Sequence, residues 1–488
     1  MNFRVSLVLS LLFAGIRTSF AQVAVYPAPE GADLNNDFAV EVVQNGKSYD
    51  SPAYNVRVAR VENAKKTVEN SSFTQFSFDG KIDIAVRYNK GRVDSARIRP
   101  LSYGIKPRIE GNTLHFSIDK PMNISVEVNG DIHHNLQLFA CPPEQNVPKK
   151  RAKNVVYYAP GVHKIAGDTL RIPSNTTVYL AGGAVVKGHL LVADAHDVRI
   201  CGRGVIDCNL REPVYIKNSR NVEVSGLVMS QCPVGGSSRV HINNVKVISS
   251  FGWGDGLNVF ASDSVTYDNC FARTSDDCTT VYATRKGFVG GAKDITITNS
   301  VLWADVAHPI FIGLHGMAAY DIKSEKTDTI ERVCYRNIDI LEQNEYQIDY
   351  QGCMAIGCGD LNVVRDVLFE DIRVEQIRNG QLFNIRTTWN EKYCAAPGRL
   401  VENITFRNVC YNGALPNLSI MEGYSPEHSV RNITFENLRI NGRLITDDMK
   451  DKPKWYKTAD FANAYAGANV YGLRFVYLSN LDGQYLKP

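Results

Sequence analysis

The amino-acid sequence predicts an all-β protein in which an N-terminal β-sandwich is followed by a right-handed parallel β-helix. Three observations carry that prediction. From Val23 to about Ala140, short runs alternate apolar and polar residues and are separated by turn residues. A polar, basic, proline-bearing segment follows, "CPPEQNVPKKRAKN". Beyond it the chain repeats one unit: a short β-branched strand, a polar turn that often carries Asn, and a second short strand. A chain of 488 residues exceeds one ordinary globular core, so two domains, one of them an elongated repeat, fit its length.

The first residues, "MNFRVSLVLSLLFAGIRTSFAQ", set Arg4 before an apolar run from Val5 to Ile16, with the small residues Ser19 and Ala21 around Phe20. This is the pattern of a secretory signal cleaved after Ala21, giving a signal segment of residues 1–21. The run is shorter than the roughly 20 apolar residues that cross a bilayer. A secreted or periplasmic location without a membrane span is therefore expected.

Residues 22–145 are assigned to the sandwich. In "KIDIAVRYNKG" the residues Ile82, Ile84, Val86 and Tyr88 share one face. "NTLHFSIDK" and "MNISVEVNGD" keep the same period of two, and Asn129-Gly130 is a hairpin-type turn. Residues 146–488 are assigned to the β-helix with a C-terminal tail. Its units include "VEVSGLVMS", "VTYDNCFAR", "ITITNSVLW", "VLFEDIRVE", "ITFRNVCYN" and "ITFENLRIN". They recur every 20 residues (Val245 to Val265) to 38 residues (Ile295 to Val333). Periods of this size denote a solenoid or array. Helical repeats need apolar spacings of three and four, which are absent, and propeller blades need four strands at a steadier, longer period. Parallel coils also let Asn side chains stack at successive turns, and a long groove suits a long polymer.

Charge and cysteine content narrow the function. There are 54 basic and 51 acidic residues, and 52 against 51 without Arg4 and Arg17, so bulk charge does not point to nucleic acid. The eleven cysteines are scattered, with no Cys-x-x-Cys pair to suggest zinc. Cys334 in "RVCYRNIDI" and Cys410 in "FRNVCYNG" are expected as buried free thiols.

The acidic residues of "DGLNVFASDSVTYDNCFARTSDD" bear most on chemistry. Asp255 opens it and Asp276-Asp277 close it, 21 residues after the first, close to one coil. Coils stack about 4.7–4.9 Å apart, so the three carboxylates are expected on one face at adjacent levels. Adjacent strand residues point to opposite faces, so the pair needs a strand end or bulge to act together. Clustered carboxylates repel, and at least one is expected to have a raised pKa. A proton-holding carboxyl beside an ionised one suits glycosidic cleavage. Solvated turns, for which Asp-Gly and Ser-Asp are common, and a calcium site built from oxygen ligands are the alternatives.

At these residues the chain resembles a known group. "GDGLNV", then "SDDCTTV", then "AHPIFIG" is similar to the Asn-Thr-Asp-Gly, Asp-Asp-Cys, Gly-His-Gly pattern of the polygalacturonases, glycosyl hydrolase family 28. It also resembles the dextranases and isopullulanases of family 49, which pair a β-sandwich with a pectin-lyase-like β-helix; "VLWADVAHPIFIG" is similar to their Trp-bearing segment. The resemblance covers about Val155 to Ile445, and the domain order covers nearly the whole mature chain. It implies Asp276 as general acid, Asp255 and Asp277 as the groups that hold and activate water, inversion at the anomeric carbon, and His308 as the residue that hydrogen-bonds the acid. This sequence departs from the pattern in several places. Trp253-Gly254 replaces Asn-Thr, Tyr282 replaces an Asn, and Thr280 stands where dextranases carry Lys. The Arg-Ile-Lys that grips galacturonate is not found.

Trp253, Tyr282, Trp303 and His315 are the remaining candidates for substrate binding, and Arg386 and Lys392 in "NIRTTWNEKYC" are candidates to replace the missing cations. "RKGFVGGAK" is read as an insertion rimming the groove. The expected function is a polysaccharide-degrading glycoside hydrolase acting on O-glycosyl bonds, polygalacturonase-like or dextranase-like, as a monomer, with no organic cofactor and no metal. Its partner is a polysaccharide or oligosaccharide, neutral or substituted differently from plain polygalacturonic acid. A polysaccharide lyase on the same architecture, drawing on Arg285, Lys286 or Arg386, and a non-catalytic glycan-binding solenoid are the alternatives.

Overall fold

A computed structural model describes residues 23–63, 65–319 and 326–481. The expected signal segment lies outside the described residues. The N-terminal domain packs two β-sheets face to face. One sheet contains Tyr54–Glu62, Lys65–Ser77, Met122–Val128 and Asp131–Cys141; the other centres on Phe38–Gln44, Ile82–Tyr88 and Thr113–Ile118. Phe38–Gln44 alternates buried and half-buried residues, as a strand covered on one face does. Val42, Ile84, Val86, Ile124 and Leu136 meet between the sheets at 0–1% exposure.

From Val155 onward, the strands form one 31-stranded sheet among the described residues, nearly all of it parallel, wound as a right-handed β-helix. Register is kept from coil to coil. Val259 pairs with Val281, Val281 with Ile312, Ile312 with Ile356 and Ile356 with Ile385, so one position of each coil makes a column of β-branched side chains inside the solenoid. A second column runs through Val265, Ile295, Val333, Val367, Ile404 and Ile433. Each such fully buried side chain contributes about 1.5–3 kcal/mol. Aromatic rings stack in a third column, with Phe369, Phe406, Phe435 and Phe475 at successive centroid spacings of 4.7 Å.

The turn asparagines explain how the corners repeat. Asn403 and Asn432 both have φ near +55°, a region Asn enters more readily than other non-glycine residues. Asn432 Nδ2 donates to Asn403 Oδ1 at 3.1 Å, and Asn403 Nδ2 donates to Asp366 Oδ1 at 3.0 Å. Asn437, Asn408 and Asp371 form an equivalent ladder. The segment around Thr458–Phe461 closes the C-terminal end, where Ile445, Ala459, Ala462 and Phe475 are buried in the solenoid core.

All eleven cysteines are free thiols. Cys334 and Cys410 are half-buried rather than buried, because their strands direct Val333, Tyr335, Val409 and Tyr411 inward and the cysteines fall on the alternate face.

The domains share an apolar seam. Tyr54, Val56, Val58, Phe73 and Phe139 of the sandwich pack on Ile248, Phe271, Val301, Trp303 and Leu341 of the helix. Arg99, fully buried, binds Glu127 of its own domain at 3.2 Å and reaches across the seam to Glu342 at 2.8 Å and Glu375 at 2.6 Å. Arg273 Nη1 donates to Asn135 Oδ1 at 2.8 Å, while its Nε binds Asp305 at 2.9 Å. The polar segment after Cys141 lies on the helix, held by Tyr179 to Glu144 and by Arg203 to the Pro142 carbonyl.

Candidate active site

The strand register sets the site. Leu257 pairs with Thr279, and Thr279 pairs with Ile310, so Asp255, Asp277 and His308 occupy equivalent positions on three successive coils. Backbone bonds tie the three levels, from Gly256 N to the Asp277 carbonyl at 2.9 Å and from Cys278 N to the His308 carbonyl at 2.8 Å. Asp255 thus lies above Asp277, one residue on from the coil spacing expected in the sequence. Asp276 reaches the same site because Ser275–Cys278 is a bend between strands Phe271–Thr274 and Thr279–Tyr282, where the strict alternation of side chains lapses. The glycines beside Asp255 permit the approach of that bend. A Cβ on Gly254 would lie 2.2 Å from Ser275 Oγ, and one on Gly256 would lie 2.7 Å from the Cys278 carbonyl.

Three donors converge on Asp277. His308 donates its backbone N–H at 3.2 Å and Nδ1 at 2.7 Å to Oδ1, and the Tyr282 hydroxyl donates to Oδ2 at 3.1 Å. Assigning Nδ1 as the protonated nitrogen follows from that carboxylate partner. The His308 ring is wholly buried, stacked on Phe311 at 4.4 Å and met edge-on by Tyr350 at 4.4 Å; its Nε2 has no hydrogen-bond partner. The expected His308–Asp276 bond is therefore corrected: the imidazole binds Asp277, its register neighbour.

Asp255 and Asp276 are held differently. Asp255 Oδ2 accepts from Asn258 Nδ2 at 2.9 Å, and Asp276 Oδ1 accepts the Asp277 N–H at 3.1 Å. Burial pushes the Asp276 carboxyl well above its ordinary pKa, and the neighbouring charges of Asp255, Asp277 and Glu345 push it further. Burial and then Asp277 also raise Asp255, against the pull of Asn258, Arg285 and Lys286. Glu345, raised by its own burial, is a fourth carboxyl at the edge of this cluster.

The other sequence candidates fall in different places. Trp253 is 77% exposed in the turn just before Asp255, with φ at +52°. Tyr282 is 1% exposed; its ring stacks on Phe260 and its hydroxyl is committed to Asp277, so it positions a carboxylate rather than meeting a sugar. Trp303 is 0% exposed in the domain seam, beneath Arg273 at 4.1 Å and with Nε1 donating to Asp305 at 3.0 Å, so it offers no face for stacking. His315 is half-buried against Tyr282, and burial beside Arg285 lowers its pKa to about 3. Arg386 binds the Asp349 carbonyl and Asn384, and Lys392 binds Gln347 at 2.6 Å. Both brace the 347–349 segment instead of forming a free cation pair. Arg285 lies over the Tyr282 ring at 4.4 Å, in a turn it closes with Phe288.

Tyr350 and Asn258 escaped the sequence reading. Tyr350 lies in an excursion between strands Ile310–Gly313 and Met354–Cys358, where the register offset is 44 residues against 31 for the preceding coil.

No protein-family model matches the chain, and no curated protein sequence matches it. In structure it is similar to Dex49A from Penicillium minioluteum, at TM-score 0.55 and 13% identity over 93% of this chain and 96% of that one. It is also similar to a family 28 exopolygalacturonase of Yersinia enterocolitica, at TM-score 0.46 and 11% identity over 81% and 96% of the two chains. A third similar structure is the catalytic domain of a GH87 α-1,3-glucanase in complex with nigerose, at TM-score 0.41 and 16% identity over 94% and 86%. The match to Dex49A extends over both domains, so the whole sandwich-and-helix architecture is shared. The fold is that of the β-helix glycoside hydrolases.

Proposed function

We propose that the protein is a secreted or periplasmic glycoside hydrolase that cleaves O-glycosidic bonds of a polysaccharide with inversion. The observation that carries this reading is the contrast within one cluster. Burial and the neighbouring carboxylates push the Asp276 carboxyl well above its ordinary pKa, while Asp277 beside it is gripped by three donors. Asp276 gives its proton to the glycosidic oxygen as the bond to the anomeric carbon breaks. Asp255 and the donor-stabilised Asp277 together hold the water that attacks that carbon from the opposite face and take up its proton. Asp277 and His308 fix the geometry, and Asp277 adds negative charge beside the developing oxocarbenium ion. Trp253 offers an exposed aromatic face for a sugar ring.

The test is a screen of reducing-sugar release across α-glucans, pectins and other plant and algal polysaccharides, with Asp276→Asn as control. Release that the control loses supports the reading. No release from any polymer, or products carrying a new carbon–carbon double bond, refutes it; the latter marks a lyase.

A further inference from the structure

The long hairpin of the sandwich, strands Tyr54–Glu62 and Lys65–Ser77, extends beyond its own domain. Its first strand packs against the helix strands Lys246–Ile248 and Phe271–Thr274, and the second of these runs directly into the Asp276 bend. Near the hairpin tip, the Val61 carbonyl accepts a 3.3 Å bond from Asn344 Nδ2, an amide that also donates to the Asp305 carbonyl at 3.2 Å. Lys66 is the cross-strand partner of Val61. The hairpin therefore brings Lys66 to the side of the solenoid where Asp276 lies.

Lys66 is exposed and makes no ion pair among the described residues, yet it lies in the fields of Asp276, Asp305 and Arg211. Arg211 approaches from the solenoid. Its guanidinium rests over the rings of Phe251 at 5.3 Å and Trp253 at 5.6 Å, two residues short of Asp255 in the chain, and it too makes no ion pair among the described residues. Of the other cations nearby, Lys286 pairs with Glu212 at 2.8 Å, Arg386 is bound to the Asp349 carbonyl, and Arg285 lies over the Tyr282 ring at 4.4 Å on the Asp255 side. Two unpaired cations near each other repel, and an anion between them relieves the repulsion. Without such cations, a cluster of carboxylates would repel an acidic glycan.

We propose that Lys66 and Arg211, one from each domain, form an anion subsite beside Asp276 that holds an acidic substituent of the glycan, a carboxylate or a sulfate ester. The inference rests on the hydrolase reading and narrows it. The absent Arg-Ile-Lys leaves a neutral or a differently substituted substrate, and these cations select the second. The sandwich is then part of the substrate site, not only a support. A sugar ring on Trp253 would present its acidic group to Arg211 above the same indole.

The experiment measures binding by full-length Asp276→Asn protein to a sulfated galactan, a glucuronate-bearing xylan and neutral dextran, at low and high salt. Lys66→Met and Arg211→Met are compared in the same background; both side chains are exposed, so folding is not at stake. At least one acidic polymer is expected to bind more tightly than dextran and to weaken with salt. Each substitution is expected to cost about ten- to a hundredfold in affinity, the size of a charge-assisted hydrogen bond. Preference for the galactan identifies sulfate, and preference for the xylan identifies carboxylate. Preference for dextran, acidic binding that neither substitution changes, or no binding to either acidic polymer overturns the subsite. Hydrolysis of a neutral glycan that Lys66→Met leaves unimpaired would remove the subsite and keep the hydrolase. Lys66-dependent binding with no hydrolysis of any polymer would do the reverse.

Discussion

His308 Nδ1 lies 2.7 Å from a carboxyl oxygen of Asp277, 31 residues away in sequence and one coil away in space. That bond gives His308 a positioning role, and the side chain best able to replace it is Asn, whose amide nitrogen sits where Nδ1 does. In His308→Ala a buried carboxylate loses a donor, which costs about 1–3 kcal/mol, or roughly 5- to 150-fold in kcat if the geometry is felt in the transition state. His308→Asn is expected to recover much of that loss with KM little changed. Equal kcat values for the two variants would show that the imidazole acts only by filling space.

Asp276→Asn is expected to lower kcat by about 10²–10⁴-fold, since an amide has no labile proton for the leaving oxygen. It is also expected to stabilise the fold. A carboxyl whose folded pKa is raised binds its proton more tightly when folded, so it weakens the fold increasingly as pH climbs above the ordinary carboxyl value, up to the folded pKa. The variant's Tm should exceed that of the wild type near neutral pH, and the advantage should vanish below about pH 4. Thermal melts across pH decide this; a lower Tm at every pH would contradict the raised pKa.

Asp255 shapes the titration of Asp276. A negative neighbour favours the neutral acid, so replacing Asp255 by Asn should move the ionisation of Asp276 to lower pH. Carboxyl resonances of ¹³C-labelled aspartate, followed through a pH series in both proteins, report it. An unmoved or upward-shifted titration would separate the two residues electrostatically.

Inversion has its own readout. Proton NMR of the first product released should show the anomer opposite to that of the cleaved linkage, relaxing later by mutarotation. Initial release of the same anomer would require a covalent intermediate on one of the aspartates instead.

Asn403 tests the corner ladder. Alanine there loses bonds to Asp366 and Asn432 and must hold φ near +57°, which costs about 1–2 kcal/mol for a side chain without Asn's local bonding. Asn403→Gly keeps the backbone conformation and should lose less than Asn403→Ala in urea unfolding. Equal losses would leave the ladder's hydrogen bonds as the whole effect.

The sequence by itself determined the architecture and the carboxylates. Strand alternation in "KIDIAVRY" and the recurring units after Val155 are local patterns, and in a parallel solenoid a local period becomes a coil. Asp255 and Asp276-Asp277, about one coil apart, were therefore bound to stack, because parallel register converts one period of sequence into one strand spacing. Tertiary structure alone decided the partners. A register of 22 residues rather than 21 puts Asp255 over Asp277, and the next offset, 31, puts His308 beneath it. One residue of register separates those outcomes, and turn lengths that differ from coil to coil set it. Sequence leaves Trp303 open to either core packing or sugar stacking, and the sandwich that covers it decides for the core. Lys66, more than 200 residues from Asp276, reaches it only because the two domains bury a common apolar seam. Contacts of that kind depend on how faces pack, which no spacing along the chain records.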